Sequence, residues 1–198
     1  KTFEKCLNPV GVENIKNTLK KGNGAIFLTG HLGNYEWGAA SLKYMGYSPI
    51  VLAIRFKNRY ITKYYHDRRS EQGMKVVYLN EAVRKSLRKL RHNGLVAIVG
   101  DRDYTNQGIY VPFFNGKAKF PTGAFVLAVR TGAPIIPTFA VRRGVLKYDV
   151  IFNKPIVCRT DSYRNKDIRK YVIEWVKIYE SYIKKYPTQW YRFESILQ

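Results

Sequence analysis

The sequence holds only three histidines, and one of them, His31, stands in the stretch FLTGHLGNYEWGAA (27–40), five positions before Glu36. A histidine and a carboxylate are the parts of a general base. The carboxylate fixes one ring nitrogen in its protonated form and leaves the other to take a proton. No serine or cysteine lies between them, so the chemistry they suit is deprotonation of a substrate hydroxyl. Residues five apart on a continuous helix are separated by roughly 140°, so the two can meet only if His31 precedes the helix. Asn34 is a good N-cap, which puts Glu36 in the first turn, where the helix dipole favours a carboxylate. Gly30 and Gly33 permit a loop that folds His31 back over the helix start, where Glu36 accepts a hydrogen bond from the imidazole. On spacing alone the plainer reading, a turn histidine and a helix-start glutamate, stays open.

Other chemically capable residues are less well placed. Asp101 and Asp103 follow an apolar run in GDRDY, but two carboxylates without further ligands make a weak metal site. Cys6 and Cys158 form no CxxC and share no ligand spacing with a histidine, which fits a reducing compartment and argues against disulfides or zinc. His92, beside Asn93-Gly94, is explained by a helix C-terminus. His66, among Tyr65, Asp67 and Arg68, is given no catalytic role. Gly123, beside Thr122 near a helix start, would let backbone approach a ligand; a plain N-terminal cap explains it equally well.

The elements that must position these residues alternate along the chain. Strands are expected at 24–29, 49–54, 75–79, 95–100, 134–141 and 146–153, and helices near 12–20, 35–45, 58–72, 80–92, 121–131 and 165–185. Such alternation gives an α/β fold, here a single-domain mixed, largely parallel sheet flanked by helices. The last two strands, joined by RRGV, read as an antiparallel hairpin. In sheets of this kind ligands bind beyond the carboxyl ends of the strands. GHLGNYE and GDRDYTNQG both fall at strand ends, so both are expected to line one crevice.

Charge points to an anionic partner. Thirty-five Lys+Arg against fourteen Asp+Glu leave +21, which suits nucleic acid, an anionic membrane or a phosphorylated substrate. Aromatics make up 15% of the chain and are interleaved with basic residues in RFKNRYITKYYHDRR (55–69). That pattern suits base stacking or a lipid headgroup layer. A solvated helix face is the plainer alternative. No apolar stretch approaches the roughly 18–20 residues that span a bilayer, and the start of the chain has no signal-peptide core.

GAIFLTGHLGNYEWGA resembles the H-x4-E/D block of the lysophospholipid acyltransferase superfamily, and more closely the bacterial lipid A biosynthesis acyltransferases (the lauroyl/myristoyl transferases). The matching residues are His31, Gly33, Asn34, Tyr35 and Glu36. Further blocks follow in order. Arg55 and Asn58 in IRFKN, with Arg68 and Arg69, resemble the family's basic block, and Asp101 and Asp103 its Asp-x-Asp segment. VPFFNGKAKFPTGAFVLAVRTGAPIIP resembles the next segment, followed by Arg142 and Arg143. Pro187 and Trp190 in PTQWYRFESIL resemble its C-terminal block. The resemblance covers nearly the whole chain and lacks the family's N-terminal membrane helix. The chain also has no initiator methionine and reads as a fragment, residues 1–198 forming one acyltransferase domain whose anchor would precede it.

The resemblance implies a glycerolipid acyltransferase-like fold and transfer of a fatty acyl group from a thioester to a hydroxyl of a phosphorylated glycolipid, a lipid A precursor. His31 would be the base and Glu36 would stabilise the imidazolium. Asn34, Arg55, Asn58, Arg69, Asp101, Asp103 and Arg142 would contact substrate, with Arg68 an alternative to Arg69 and the arginines meeting acceptor phosphates. Backbone N–H groups near Gly33 and Asn34 are one guess for the oxyanion donors. No metal or cofactor is implied beyond the donor, acyl-acyl carrier protein or acyl-CoA. The implied partners are acyl carrier protein, an anionic membrane surface at the cytoplasmic face of the inner membrane, and the glycolipid acceptor. In EAVRKSLRKLRHNG (81–94), Val83, Leu87 and Leu90 share one face. Core packing is the plainer reading, and docking of an acidic acyl carrier protein the sharper one. Competing readings are a lysophosphatidate or mannoside acyltransferase and, from another class, a nucleic-acid-binding module, which leaves the ordered blocks unexplained.

Overall fold

The computed structural model describes residues 4–159 and 164–193. Its centre is a seven-stranded sheet in the order β1-β9-β8-β2-β5-β3-β4. The strands are β1 (Leu7–Val10), β2 (Ala25–Thr29), β3 (Ile50–Ala53), β4 (Lys75–Tyr78), β5 (Leu95–Val99), β8 (Ile135–Gly144) and β9 (Lys147–Phe152). Strands β8, β2, β5, β3 and β4 are all parallel, so all end at one edge. Strand β9 turns back, antiparallel to β8, and β1 runs parallel to it at the sheet's margin, so these two oppose the other five. The expected mixed, largely parallel α/β sheet is therefore the observed one, hairpin included. The hairpin's tight turn falls at Val145–Leu146, with β8 running on through Gly144.

The central strands are apolar on both faces because both faces are covered. Ile26, Leu28 and Val96 join one core with α4 (Leu79–Arg91), α5 (Gly123–Thr131) and α6 (Asn165–Lys185). Phe27, Leu95 and Ala97 join the other with α1 (Val12–Leu19) and α2 (Tyr35–Tyr44). The remaining α-helix among the described residues, α3 (Arg59–Glu71), buries no residue fully. All six helices lie close to their expected ranges.

Two features were not expected. Strand β1 is a short margin strand, largely exposed and containing Pro9, so it shows no alternation to read. Strands β6 (Ile109–Phe113) and β7 (Gly116–Phe120) form a separate antiparallel hairpin. Val111, Phe113, Ala118 and Phe120 point from it into the core. That alternation around Asn115-Gly116 is a legible hairpin signal.

Candidate active site

Strands β2 and β5 pair in parallel with Thr29 opposite Val99. Each continues through one glycine, Gly30 and Gly100, into a polar residue. The register therefore sets His31 beside Asp101 at the carboxyl edge of the sheet. His31 Nδ1 lies 2.6 Å from Asp101 Oδ1, and the His31 amide donates to Asp101 Oδ2 at 3.1 Å. Facing a carboxylate, Nδ1 carries the proton, which leaves Nε2 as the basic nitrogen. The ring is partly open to solvent, 16% exposed, and stands edge-on to Tyr35 at 5.0 Å.

Asp101 is 1% exposed. A third donor, the hydroxyl of Tyr179 on α6, reaches its Oδ2 at 3.1 Å. Burial pushes the Asp101 pKa up, but the bonds and charge from His31 together with the Tyr179 hydroxyl outweigh it and hold the carboxyl below its ordinary value. Tyr179 is fully buried, and burial first, then the Asp101 charge, raises its phenol pKa. It stays a neutral donor. Gly30 has no room for a side chain, because a Cβ there would overlap the Tyr179 ring.

A carboxylate whose pKa is lowered by folding contributes stability that is complete above its unfolded pKa, about 3.9. That contribution is lost as pH falls through the lower folded value. Wild type should therefore be more resistant to urea than Asp101→Asn at pH 7. The gap should close as both are titrated below about pH 4, read from urea midpoints at each pH.

The expected contact between His31 and Glu36 is not made. Asn34 does cap α2, accepting from the Trp37 amide at 3.1 Å, and Glu36 does fall in the first turn. From there its side chain faces α3 and takes a two-pronged bond from Arg69: Nε to Oε2 at 3.0 Å and Nη2 to Oε1 at 2.6 Å. A carboxylate held by a guanidinium fork is already neutralised. Glu36 thus braces α2 against α3 through Arg69. The expected oxyanion donors are engaged as well: the Gly33 amide bonds Gln189 O at 2.9 Å, and the Asn34 amide bonds Ala140 O at 2.8 Å.

The remaining expected site residues divide in the same way. Asp103 organises its own loop, accepting from the Thr105 amide at 3.1 Å, the Thr105 hydroxyl at 3.0 Å and the Gly108 amide at 2.7 Å. Burial alone would raise its pKa, and these donors lower it. Asn58 caps α3, accepting from the Tyr60 amide at 2.8 Å. Arg55 lies over the Tyr78 ring, 4.1 Å from its centroid, in an open groove with His66 and Thr62. Arg68 pairs with Glu71 at 2.9 Å. Arg142 is exposed near the end of β8, its backbone clasped by the Gln189 side chain at 2.8 and 3.0 Å.

The C-terminal block explains itself through the His31 loop. Tyr191 N donates to His31 O at 2.8 Å, and Leu32 and Trp190 form an isolated bridge. Gly33 adopts φ +63°, where a side chain costs about 1–2 kcal/mol, and a Cβ would also overlap the Ala140 carbonyl. The overlap, more than the backbone strain, demands glycine. Three residues missed from the sequence join the site here: Tyr179; Arg192, whose Nη1 reaches Asp101 O at 3.2 Å; and Arg102, whose Nη2 reaches Tyr191 O at 2.7 Å. Tyr179 lies in a helix 78 residues beyond Asp101, and its spacing carries no signal.

A cavity of about 380 Å³ opens between α4, α5 and the 100–107 loop, reached by Gly100, Arg102 and Asp103 on either side of Asp101 but not lined by Asp101 or His31 themselves. Leu28, Leu52, Ile98 and Leu127 form its apolar wall, and Arg102, Asp103 and Thr105 stand at its polar end. Val83 lines it and is exposed, whereas Leu90 is buried as a core position should be. The expected single core face of α4 is thus part core and part cavity wall. A crevice of about 50 Å³ between α2 and the sheet is far smaller.

A buried carboxylate clamping a histidine at the carboxyl edge of a largely parallel sheet defines an α/β protein with a histidine–carboxylate site. The chain belongs to the bacterial lipid A biosynthesis acyltransferase family, whose pattern it matches over residues 1–197. It is similar to the phosphatidylinositol mannoside acyltransferase of Mycobacterium tuberculosis, 30% identical over 132 residues. The match takes in 65% of this chain and 42% of that protein. The Mycolicibacterium smegmatis protein of the same name is 26% identical over 136 residues, 66% of this chain and 44% of that one. The chain thus matches less than half the length of these relatives. The crystal structure of the 1-acyl-sn-glycerophosphate acyltransferase PlsC from Thermotoga maritima is similar with a TM-score of 0.48 at 18% identity, covering 96% of this chain and 74% of that one.

Proposed function

We propose that this protein transfers a fatty acyl group from a thioester, acyl-acyl carrier protein or acyl-CoA, to a hydroxyl of a phosphorylated glycolipid. The observation that carries the proposal is the His31–Asp101 pair, with Nδ1 held by a buried carboxylate and Nε2 left basic. His31 Nε2 takes the proton as the acceptor oxygen attacks the thioester carbonyl, and Asp101 stabilises the imidazolium. The proton then passes to the departing thiolate, so no acyl-enzyme and no metal ion are required. Asp101 takes the role read from the sequence as that of Glu36.

On this reading the acyl chain lies in the apolar cavity lined by Arg102 and Asp103, its size falling within the usual 300–1,000 Å³ of small-molecule sites. Gly123 opens α5 at its wall, and a Cβ there would meet no atom within 4 Å. Gly123→Leu should therefore fill the cavity without breaking the fold. The ratio of kcat/KM for long over short acyl donors should fall by about tenfold or more, the usual effect of a methylene-scale change in an apolar pocket. An unchanged ratio, measured across thioesters of graded length, would place the chain elsewhere.

Two acceptors are favoured by different observations. Family membership supports a lipid A precursor, and the mycobacterial relatives support a phosphatidylinositol mannoside. Competition settles between them: both acceptors and a lysophosphatidate are offered together with one labelled acyl donor, and the acylated product is identified. Predominant acylation of the lysophosphatidate would overturn the glycolipid reading. On the same reading an anionic membrane, at the cytoplasmic face of the inner membrane, is the surface from which such an acceptor is drawn.

A further inference from the structure

Many of the exposed apolar side chains lie at one edge of the sheet, with Val10, Tyr44 and Val157 exposed elsewhere. On α3, which follows β3, Tyr60, Ile61 and Tyr64 are 68%, 44% and 58% exposed. Tyr64 is four residues from Tyr60 and three from Ile61, so it neighbours both on one helix face. Tyr104 in the loop after β5, Val145 and Leu146 in the turn after β8, and Phe193 close to Tyr191 are exposed as well, Val145 to 89% and Phe193 to 91%. The first of these segments leave the carboxyl edge of the parallel strands, where His31 lies, and the Phe193 segment is tied to that edge by the Tyr191 amide on His31 O. At the opposite edge Val10 ends β1.

Cations stand among these side chains. Six Lys and Arg face two carboxylates between Arg55 and Gln72, and Arg143 and Lys147 flank the Val145–Leu146 turn. Lys63 pairs with Asp67, and Arg143 with Asp149, but on the surface, where such pairs hold weakly. No helix among the described residues is long and apolar enough to cross a bilayer. Tyrosines projecting from a basic, little-buried helix suit the headgroup layer, where aromatic rings and Lys/Arg are both favoured.

We infer that the carboxyl edge of the sheet, led by α3 and the β8–β9 turn, rests on an anionic bilayer surface, so that His31 faces the membrane. Substrate then need not leave the lipid phase to be acylated. The inference rests on the reading of the acceptor as a membrane lipid, but docking itself needs no turnover. Loss of transfer with docking intact would count against that reading and not this one.

The test attaches an environment-sensitive fluorophore to single introduced cysteines, Tyr64→Cys, Leu146→Cys and, as control, Val10→Cys, the two native cysteines being buried. Each protein is mixed with vesicles of phosphatidylcholine alone or with added phosphatidylglycerol. Fluorescence should rise and shift to the blue at positions 64 and 146 on the anionic vesicles, and not at position 10. Lys57→Glu with Lys63→Glu should raise the vesicle concentration for half-binding by tenfold or more, while transfer to detergent-dispersed acceptor is unchanged. A shift at position 10 equal to those at 64 and 146, or no binding to anionic vesicles, would overturn the inference.

Discussion

Replacing His31 by alanine should reduce acyl transfer by about 10²–10⁴-fold, the usual worth of a general base. The protein should still fold. His31 lies in a loop beyond β2, partly exposed, and its ring touches Tyr35 rather than the interior of either core. What the substitution leaves is Asp101 with one oxygen short of a donor, since Oδ2 keeps the residue 31 amide and the Tyr179 hydroxyl. A buried group so deprived costs about 1–3 kcal/mol. The expected result is a lower urea midpoint with an unchanged circular dichroism spectrum and an almost complete loss of turnover. Near wild-type turnover would remove His31 from the chemistry.

Asp101→Asn should be nearly as damaging and more informative. The Tyr179 hydroxyl and the His31 amide both donate to this side chain, so an asparagine turns its carbonyl oxygen to them. Its NH₂ then meets His31 Nδ1, which must become the acceptor. That moves the ring proton to Nε2 and removes the base, with a loss of about 10²–10⁴-fold expected for a disabled general base. Glu36→Gln, by contrast, weakens a brace between α2 and α3 and should stay within about tenfold of wild type, since it touches no reacting group. Were Glu36 the partner of the imidazole, the order of the two variants would reverse. Comparing kcat for both on one acceptor checks the assignment.

The reversal of partners shows what sequence spacing can carry. The strongly periodic helices and the apolar strands were legible because their period is local, and Asn34 was legible as a cap because capping is local too. Glu36 attracted the assignment by lying five residues from His31, yet those residues belong to a loop and a helix turn that face different neighbours. Asp101 is 70 residues away and becomes adjacent only through the pairing of β2 with β5. A trace was present: LTGH and IVGD each end an apolar strand with a glycine and a polar residue, and the expectation that both clusters line one crevice follows from it. Choosing Asp101 over Glu36 needed the strand register, which no single segment specifies. The arginines illustrate the same limit. Arg69 is a phosphate candidate by its type, but its environment, a carboxylate held directly by two hydrogen bonds, is a tertiary fact. Tyr179 carried no motif, and Arg102 and Arg192 stand inside blocks read for their other residues; only the packing of α6 and the C-terminal segment against the His31 loop brings the three in.

The most direct test is mass spectrometry of a single incubation. The protein is given an acyl thioester, as acyl-acyl carrier protein or acyl-CoA, together with a phosphorylated glycolipid bearing a free hydroxyl. Wild type should yield acceptor heavier by one acyl group and an equal amount of free thiol, with no acylated protein, and His31→Ala should yield neither product. Acyl-enzyme accumulating on a cysteine or serine, or equal product from His31→Ala, would contradict direct transfer with His31 as the base.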